Sequence, residues 1–199
     1  MRVKNSRFVK SFSDPSAAVE YSPQICVAGR SNCGKSTLLN SLMGAKLCKT
    51  SGTPGRTQLV NIFEVTTDER KFYFTDLPGY GYSKAQKERS DDFSRRTEKY
   101  FNSNLDIAQV LCLMDIRRDP SDLDKVLINF LRDMGFAFTV VITKADKLSK
   151  AQTGIAVSKI AAALGLAPGN IIVTSGHSGA GKEKLLDRIG EILSVHEEG

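Results

Sequence analysis

Between Gly29 and Ser36 the chain reads Gly-Arg-Ser-Asn-Cys-Gly-Lys-Ser, the G-x-x-x-x-G-K-[ST] spacing of a phosphate-binding loop. No other stretch restricts the fold as much, because this pattern functions only between a strand and a helix. Gln24-Ile25-Cys26-Val27-Ala28 supplies a short, β-prone run before it, and Leu38, Leu39, Leu42 and Met43 recur at helical spacing until Gly44 closes the turn. Such a loop aims backbone N–H groups and a helix N-terminus at phosphate oxygens. Lys35 is expected to reach the β- and γ-phosphates and the Ser36 hydroxyl to bind Mg²⁺. Gly29 and Gly34 allow backbone angles or a close approach that a side chain would block. A glycine-rich turn with a chance lysine is the alternative, and the flanking strand and helix argue against it. Cys33 is either a thiol activated by the helix N-terminus or a small, tolerated loop residue.

A length of 199 residues suits one domain with a full core. A hydrophobic fraction of 41% excludes a disordered chain. No apolar run approaches the roughly 20 residues that span a bilayer, so no membrane partner is expected. The net charge of +6 is compatible with a nucleic-acid partner without requiring one. Four cysteines without C-x-x-C pairing or a histidine cluster point away from zinc and disulfides, toward reduced thiols in the cytoplasm. The first residues, with Arg2, Lys4, Arg7 and Lys10, have a faint transit-peptide composition. Phe8, Val9, Phe12, Val19 and Tyr21 favour instead a basic arm, residues 1–22, packed on a domain of residues 23–199.

Farther along, 46–58 reads as a loop. Leu59–Val65 and Lys71–Thr75, joined by Thr67-Asp68-Glu69-Arg70, form an antiparallel hairpin. The second strand ends in Asp76-Leu77-Pro78-Gly79, where the acid can hold Mg²⁺ through water and Gly79 can offer its N–H to a γ-phosphate. Tyr80-Gly81-Tyr82-Ser83 reads as flexible loop, followed by a helix from Ser90 with Phe93, Thr97, Tyr100 and Phe101 inward. A buried-type strand, Ala108–Met114, ends at Asp115, and Asp119-Pro120 reads as the cap and first residue of a helix. That helix turns Leu123, Val126, Leu127, Phe130, Leu131 and Met134 inward. Strand Phe136–Ile142, a helix from Ser149 through Ile155 and Ile160 to Leu164, strand Ile171–Thr174 and helix Lys184–Val195 complete the chain. The alternation predicts an α/β fold: a mostly parallel six-stranded sheet with one antiparallel hairpin strand and helices on both faces. Ligands then lie at the carboxyl ends of the strands.

Thr143-Lys144-Ala145-Asp146 directly follows one of those strands. A carboxylate there can accept from guanine N1–H and the exocyclic amine; adenine has neither and would leave Asp146 unpaired. The Lys144 stem can lie along the base. A second stretch, Gly176 to Lys182, also has G-x-x-x-x-G-K spacing, but Glu183 replaces the Mg²⁺-binding hydroxyl. It reads as a loop entering the last helix. His177 and His196 form no triad and read as surface residues.

Gly29–Ser36, Thr57, Asp76–Gly79, Thr143–Asp146 and Thr174-Ser175-Gly176 resemble the five ordered motifs of translation-factor-type GTPases, and the D-x-P-G form and its hairpin resemble the Era-like branch. Thr53-Pro54-Gly55-Arg56-Thr57-Gln58, Asp76 through Tyr82 and Asp115-Ile116-Arg117 together resemble the EngB family of bacterial ribosome-biogenesis GTP-binding proteins. The resemblance implies a P-loop GTPase fold, GTP and GDP as ligands, and Mg²⁺ held by Ser36, Thr57 and Asp76. It places Gly29, Arg30, Ser31, Asn32, Cys33, Gly34, Lys35, Ser36 and Thr37 at the phosphates. Gly55, Arg56, Thr57, Gln58 and Leu59 fall in the first switch, and Asp76, Leu77, Pro78 and Gly79 in the second. Thr143, Lys144, Ala145, Asp146, Thr174, Ser175 and Gly176 fall at the base, although Thr174-Ser175-Gly176 departs from the usual S-A-K/L pattern. Lys35, Thr57, Gly79 and Asn32 would act in hydrolysis.

Asn32 matches the asparagine some Era-like relatives use to hold K⁺. The alternative is an asparagine that only stabilises the loop. Tyr80 stands where Ras-like enzymes place a water-orienting glutamine, which implies slow intrinsic hydrolysis. The implied partner is the large ribosomal subunit or its precursor and its rRNA, with a role in normal cell division; the chain is expected to be a bacterial, cytoplasmic monomer. Lys84, Lys87, Arg89, Arg95, Arg96, Arg117 and Arg118 could face rRNA phosphates. A different reading is an RNA- or ribosome-binding module that uses nucleotide only structurally.

Overall fold

The computed structural model describes residues 1–18, 20–48, 59–81, 98–103 and 105–198. The expected helix start at Ser90, with Phe93 and Thr97, lies outside them, as does Val19.

Seven strands form one sheet: β1 (Val3–Phe12), β2 (Gln24–Gly29), β3 (Val60–Thr67), β4 (Lys71–Asp76), β5 (Ile107–Asp115), β6 (Phe138–Thr143) and β7 (Ile171–Val173). Their order is β1-β3-β4-β2-β5-β6-β7. The five strands from β4 to β7 in that order are mutually parallel; β3 is antiparallel to β4, and β1 to β3. The expected six-stranded sheet thus gains a seventh strand from the amino-terminal arm. Two register irregularities, between Val3 and Asn5 and between Phe8 and Lys10, break the two-residue alternation that would have marked β1 as a strand.

Central strands buried on both faces read as continuous apolar runs, and β5 is buried from Ala108 to Asp115. Helices α1 (Lys35–Met43) and α4 (Lys182–Glu198) cover one face through Leu39, Leu42, Leu185 and Ile189. Helices α2 (Asp122–Asp133) and α3 (Lys150–Leu164) cover the other through Leu127, Leu131, Ile160 and Leu164, together with Tyr100 and Phe101. No helix among the described residues is long and apolar enough to cross a membrane.

The ends of these helices follow their sequence signals, with one exception. Ser149 caps α3 in a reciprocal pair with Gln152, and Gly165 closes it in the left-handed region. For α2 the cap is Ser121, not Asp119: the Ser121 hydroxyl accepts from Asp124 N, and Asp124 reaches back to Ser121 N at 2.7 Å. Two bonds from the serine outweigh a proline-positioned aspartate, which instead meets Lys159 at the surface. Val126 and Met134 are half-exposed and Ile155 is 71% exposed, so the apolar faces of α2 and α3 are narrower than their periodicity suggests.

Candidate functional site

The parallel strands all end at one edge of the sheet, and each end delivers a segment singled out in the sequence. β2 ends at Gly29, β4 at Asp76, β5 at Asp115, β6 at Thr143, and β7 leads into Thr174. Glycines let these segments touch. A Cβ on Gly79 would lie 2.9 Å from Lys35 Nζ and 3.1 Å from Ser31 N. One on Gly176 would lie 3.0 Å from the Thr37 carbonyl. Gly34, at φ 108°, faces the Thr143 hydroxyl and the Lys144 stem.

The phosphate loop has the form its spacing predicts. Gly34 caps α1 without a side-chain hydrogen bond. Among the described residues, the backbone N–H groups of Asn32, Gly34 and Ser36 have no protein partner, while that of Lys35 meets the Cys33 sulfur. Unpaired donors converging at a helix N-terminus make a cradle for an anion. Lys35 Nζ waits beside it, donating to Gly29 O at 3.2 Å. In the second loop of this spacing, 176–182, Ser178 N donates to Ser175 Oγ, Gly179 N to Ser175 O and Lys182 N to Gly179 O, and Glu183 stands where the phosphate loop has Ser36. Asn32 lies at φ 64°, a left-handed backbone that asparagine tolerates better than most residues, so loop geometry alone accounts for its presence.

Asp76 is 8% exposed, and its Oδ1 has no hydrogen-bond partner. Burial pushes its carboxyl up to about 6, opposed by the charge of Lys35 and by Asn61 across the strand pair. A buried acceptor without a donor suits a hard cation. Mg²⁺ commonly uses one or two carboxylates together with substrate phosphates, and Asp76 with the Ser36 hydroxyl fits that donor set. Thr57, the third expected ligand, lies outside the described residues with Gly55, Arg56 and Gln58; Leu59 is partly exposed just before β3.

At the opposite end of the cradle, the Thr143 hydroxyl bonds the carbonyl of Cys33, and Ala145 N donates to Thr174 O at 3.1 Å. Asp146 accepts from Ser175 Oγ at 2.6 Å and pairs with Lys147 at 3.0 Å. These bonds, the serine's first, hold its carboxyl below the usual carboxylate range. Ser175 therefore sets the rotamer of Asp146.

Two findings differ from the sequence expectations. Tyr80 does not extend as a flexible loop: it is 4% exposed and donates its phenol proton to Asp124 Oδ1 at 2.7 Å. Ser31 N bonds Tyr80 O at 2.8 Å and Ser31 Oγ bonds Gly79 O at 3.2 Å, stitching this segment to the phosphate loop. Cys33 is the second. It is 3% exposed, and burial raises its thiol, outweighing Lys35 and the helix terminus. All four cysteines are buried, with Cys26 and Cys48 pushed up to about 12. The folded protein should consequently resist a thiol reagent such as 5,5′-dithiobis(2-nitrobenzoate) at neutral pH, and all four thiols should react after denaturation. Rapid native labelling of a single cysteine would contradict this. Of the two histidines, His177 is exposed, whereas His196 is half-buried against Asp106.

The family described as 50S ribosome-binding GTPase matches residues 24–144. The probable GTP-binding protein EngB of Caldanaerobacter subterraneus subsp. tengcongensis is 37% identical, over 100% of this chain and 98% of that protein. The chain belongs to the EngB family of GTP-binding proteins. As a member of the EngB family it is a GTPase of the P-loop class. A crystal structure of a probable GTP-binding protein engB superposes with a TM-score of 0.64 at 24% identity, covering 86% of this chain and 99% of that one. Era in complex with MgGDPNP and nucleotides 1506–1542 of 16S ribosomal RNA gives a TM-score of 0.64 at 26% identity, covering 83% of this chain and 55% of Era's.

The site also contains two acids to which sequence reasoning gave no role of their own. Asp115 and Asp124 each hold a motif residue, Lys144 and Tyr80 respectively. The signals for Asp115 were its place at the end of an apolar strand and in the Asp115-Ile116-Arg117 stretch; the Ser121-x-x-Asp124 spacing marks a helix cap but says nothing of Tyr80.

Proposed function

We propose that this chain is a GTP-driven switch that binds the large ribosomal subunit or its precursor during assembly and hydrolyses GTP slowly when alone. The observation that carries the slow step is the position of Tyr80. Its phenol is committed to Asp124, and a buried phenol cannot orient an attacking water as a glutamine does. The large-subunit partner is supported by the description of the matching family, 50S ribosome-binding GTPase; the 16S RNA bound to the related Era supports contact with ribosomal RNA in general.

In this reading, guanine is recognised by Asp146, set by Ser175, with the Lys144 stem beneath the base. The phosphates lie on the amides of the loop and the Lys35 ammonium, and Gly79 offers its N–H to the γ-phosphate. Asp76 and Ser36 hold Mg²⁺, which when bound neutralises phosphate charge. Because Gly79 and Tyr80 are both bonded to Ser31, a γ-phosphate arriving beside Lys35 must rearrange them, and that change is what a partner would read. Of the basic residues expected at an RNA surface, Arg117 is committed to Asp115 and Arg118 is exposed; the other five lie outside the described residues.

Co-sedimentation with isolated ribosomal subunits tests the proposal. Binding to the large subunit should be at least about tenfold tighter with a non-hydrolysable GTP analogue than with GDP, and should weaken steeply with salt. Equal binding in both nucleotide states would favour the module that uses nucleotide only structurally.

A further inference from the structure

Asp115 stands at the carboxyl end of β5, 6% exposed, with three cationic donors on one carboxylate. Arg117 donates from Nε to Oδ1 at 2.9 Å and from Nη2 to Oδ2 at 2.7 Å. Lys144 Nζ donates to Oδ2 at 2.9 Å and also to the carbonyl of Asn32 at 2.6 Å. The lysine backbone, at φ 60°, is held as well, its carbonyl accepting from Lys147 N at 3.0 Å. Lys144 is therefore fastened at both ends: its backbone at the exit of β6, its ammonium to both the phosphate loop and β5.

We propose that Asp115 is a positioning residue for guanine nucleotides, holding the Lys144 stem as a preformed floor for the base. The proposal rests on the reading of Thr143–Asp146 as the guanine site. A free lysine is rotamer-rich and would have to be ordered when the base arrives. Clamped between two acceptors, it is ordered before the nucleotide binds. Arg117 completes the device: its two-pronged bond stops the carboxylate from turning away, and its 46% exposed side chain makes it an outer brace. Asp115 does not face the base itself. It acts through Lys144, and through the Lys144–Asn32 bond it ties the base motif to the phosphate loop.

A merely structural role is the competing explanation, since Arg117 N also bonds Asp115 Oδ1 at 3.1 Å and Arg118 N bonds Asp115 O at 3.0 Å, shaping the turn after β5. A double-mutant cycle on the full chain separates the two. Release of N-methylanthraniloyl-GDP is followed by stopped flow for the wild type, Asp115→Ala, Lys144→Ala and the double variant, with thermal melting of each nucleotide-free protein. Asp115→Asn provides a milder variant should the alanine fail to fold. The expected result is that Asp115→Ala speeds GDP release about tenfold, adds nothing in the Lys144→Ala background, and is partly rescued by Asp115→Glu. Effects of the two substitutions that multiply, or a lowered melting temperature with release changed less than twofold, would overturn the proposal. Unchanged release from Lys144→Ala would instead strike at the guanine reading beneath it.

Discussion

Replacing Asp146 with asparagine is expected to cost affinity for GTP and GDP by a factor of about 10²–10⁴ and to create affinity for xanthine nucleotides. The reason lies in the direction of the hydrogen bonds. Guanine presents two donors, N1–H and the 2-amine, and Asp146 presents two acceptors. It is held charged and oriented by Ser175 at 2.6 Å and Lys147 at 3.0 Å. An amide at that position turns an NH₂ group toward one of guanine's donors, so a bond is lost and a repulsion gained. Xanthine carries a carbonyl where guanine has its amine, and the new amide can donate to it. Competition titration of the variant with the guanine, adenine and xanthine diphosphates measures the exchange. Retention of the full preference for guanine would remove the foundation of the site described above. Because Asp146 lies near the surface in a one-turn helix, the substitution should leave the melting temperature of the nucleotide-free protein almost unchanged.

The second large effect is on stability itself. Asp76→Asn should make the metal-free protein more stable at neutral pH by about 3 kcal/mol, and should remove the added protection that Mg²⁺ gives with GDP. An ordinary aspartate titrates near 3.8, and burial raises Asp76 to about 6. Between those values the folded state binds more protons than the unfolded chain, so this carboxyl makes stability fall as pH rises through that window and adds no further change above about 6. A displacement of about two pK units corresponds to the stated energy. Asparagine keeps the volume and removes the buried charge. Urea denaturation with and without Mg²⁺–GDP, at pH 7 and again near pH 4.5, checks both halves: the wild type should gain on acidification relative to the variant. A variant no more stable than the wild type would show that the orphaned oxygen is satisfied in solution, and the argument for a cation beside it would fail.

The parts of this architecture that sequence disclosed are those whose physics is local. A phosphate loop must have glycines at fixed spacing between a strand and a helix, and the strand-following motifs are recognisable because each parallel strand ends where a ligand can sit. The residues that went unread act across distance. Tyr80 looks like a loop residue until Asp124, on the following helix, draws its phenol into the core. β1 could be foreseen as a packed arm but not as a strand: its exposed residues and two irregularities hide the alternation, and its partner begins 48 positions later. Phe8, expected to pack, leaves nearly half its surface in solvent while its edge rests on Phe63. The cap of α2 is the exception: Ser121-x-x-Asp124 is a local capping box, and the Asp119-Pro120 pair beside it drew the reading two residues too early.

Asp124 has one further consequence. One of its oxygens closes the first turn of α2 through Ser121, while the other secures Tyr80. The fastening of the Gly79–Tyr80 segment and the start of a core helix therefore share a single anchor. Withdrawing the tyrosine would strand a desolvated acceptor directly beneath that turn, so the two ought to loosen together, and in the proposed switch α2 would carry news of the bound nucleotide to the flank of the molecule away from α1 and α4.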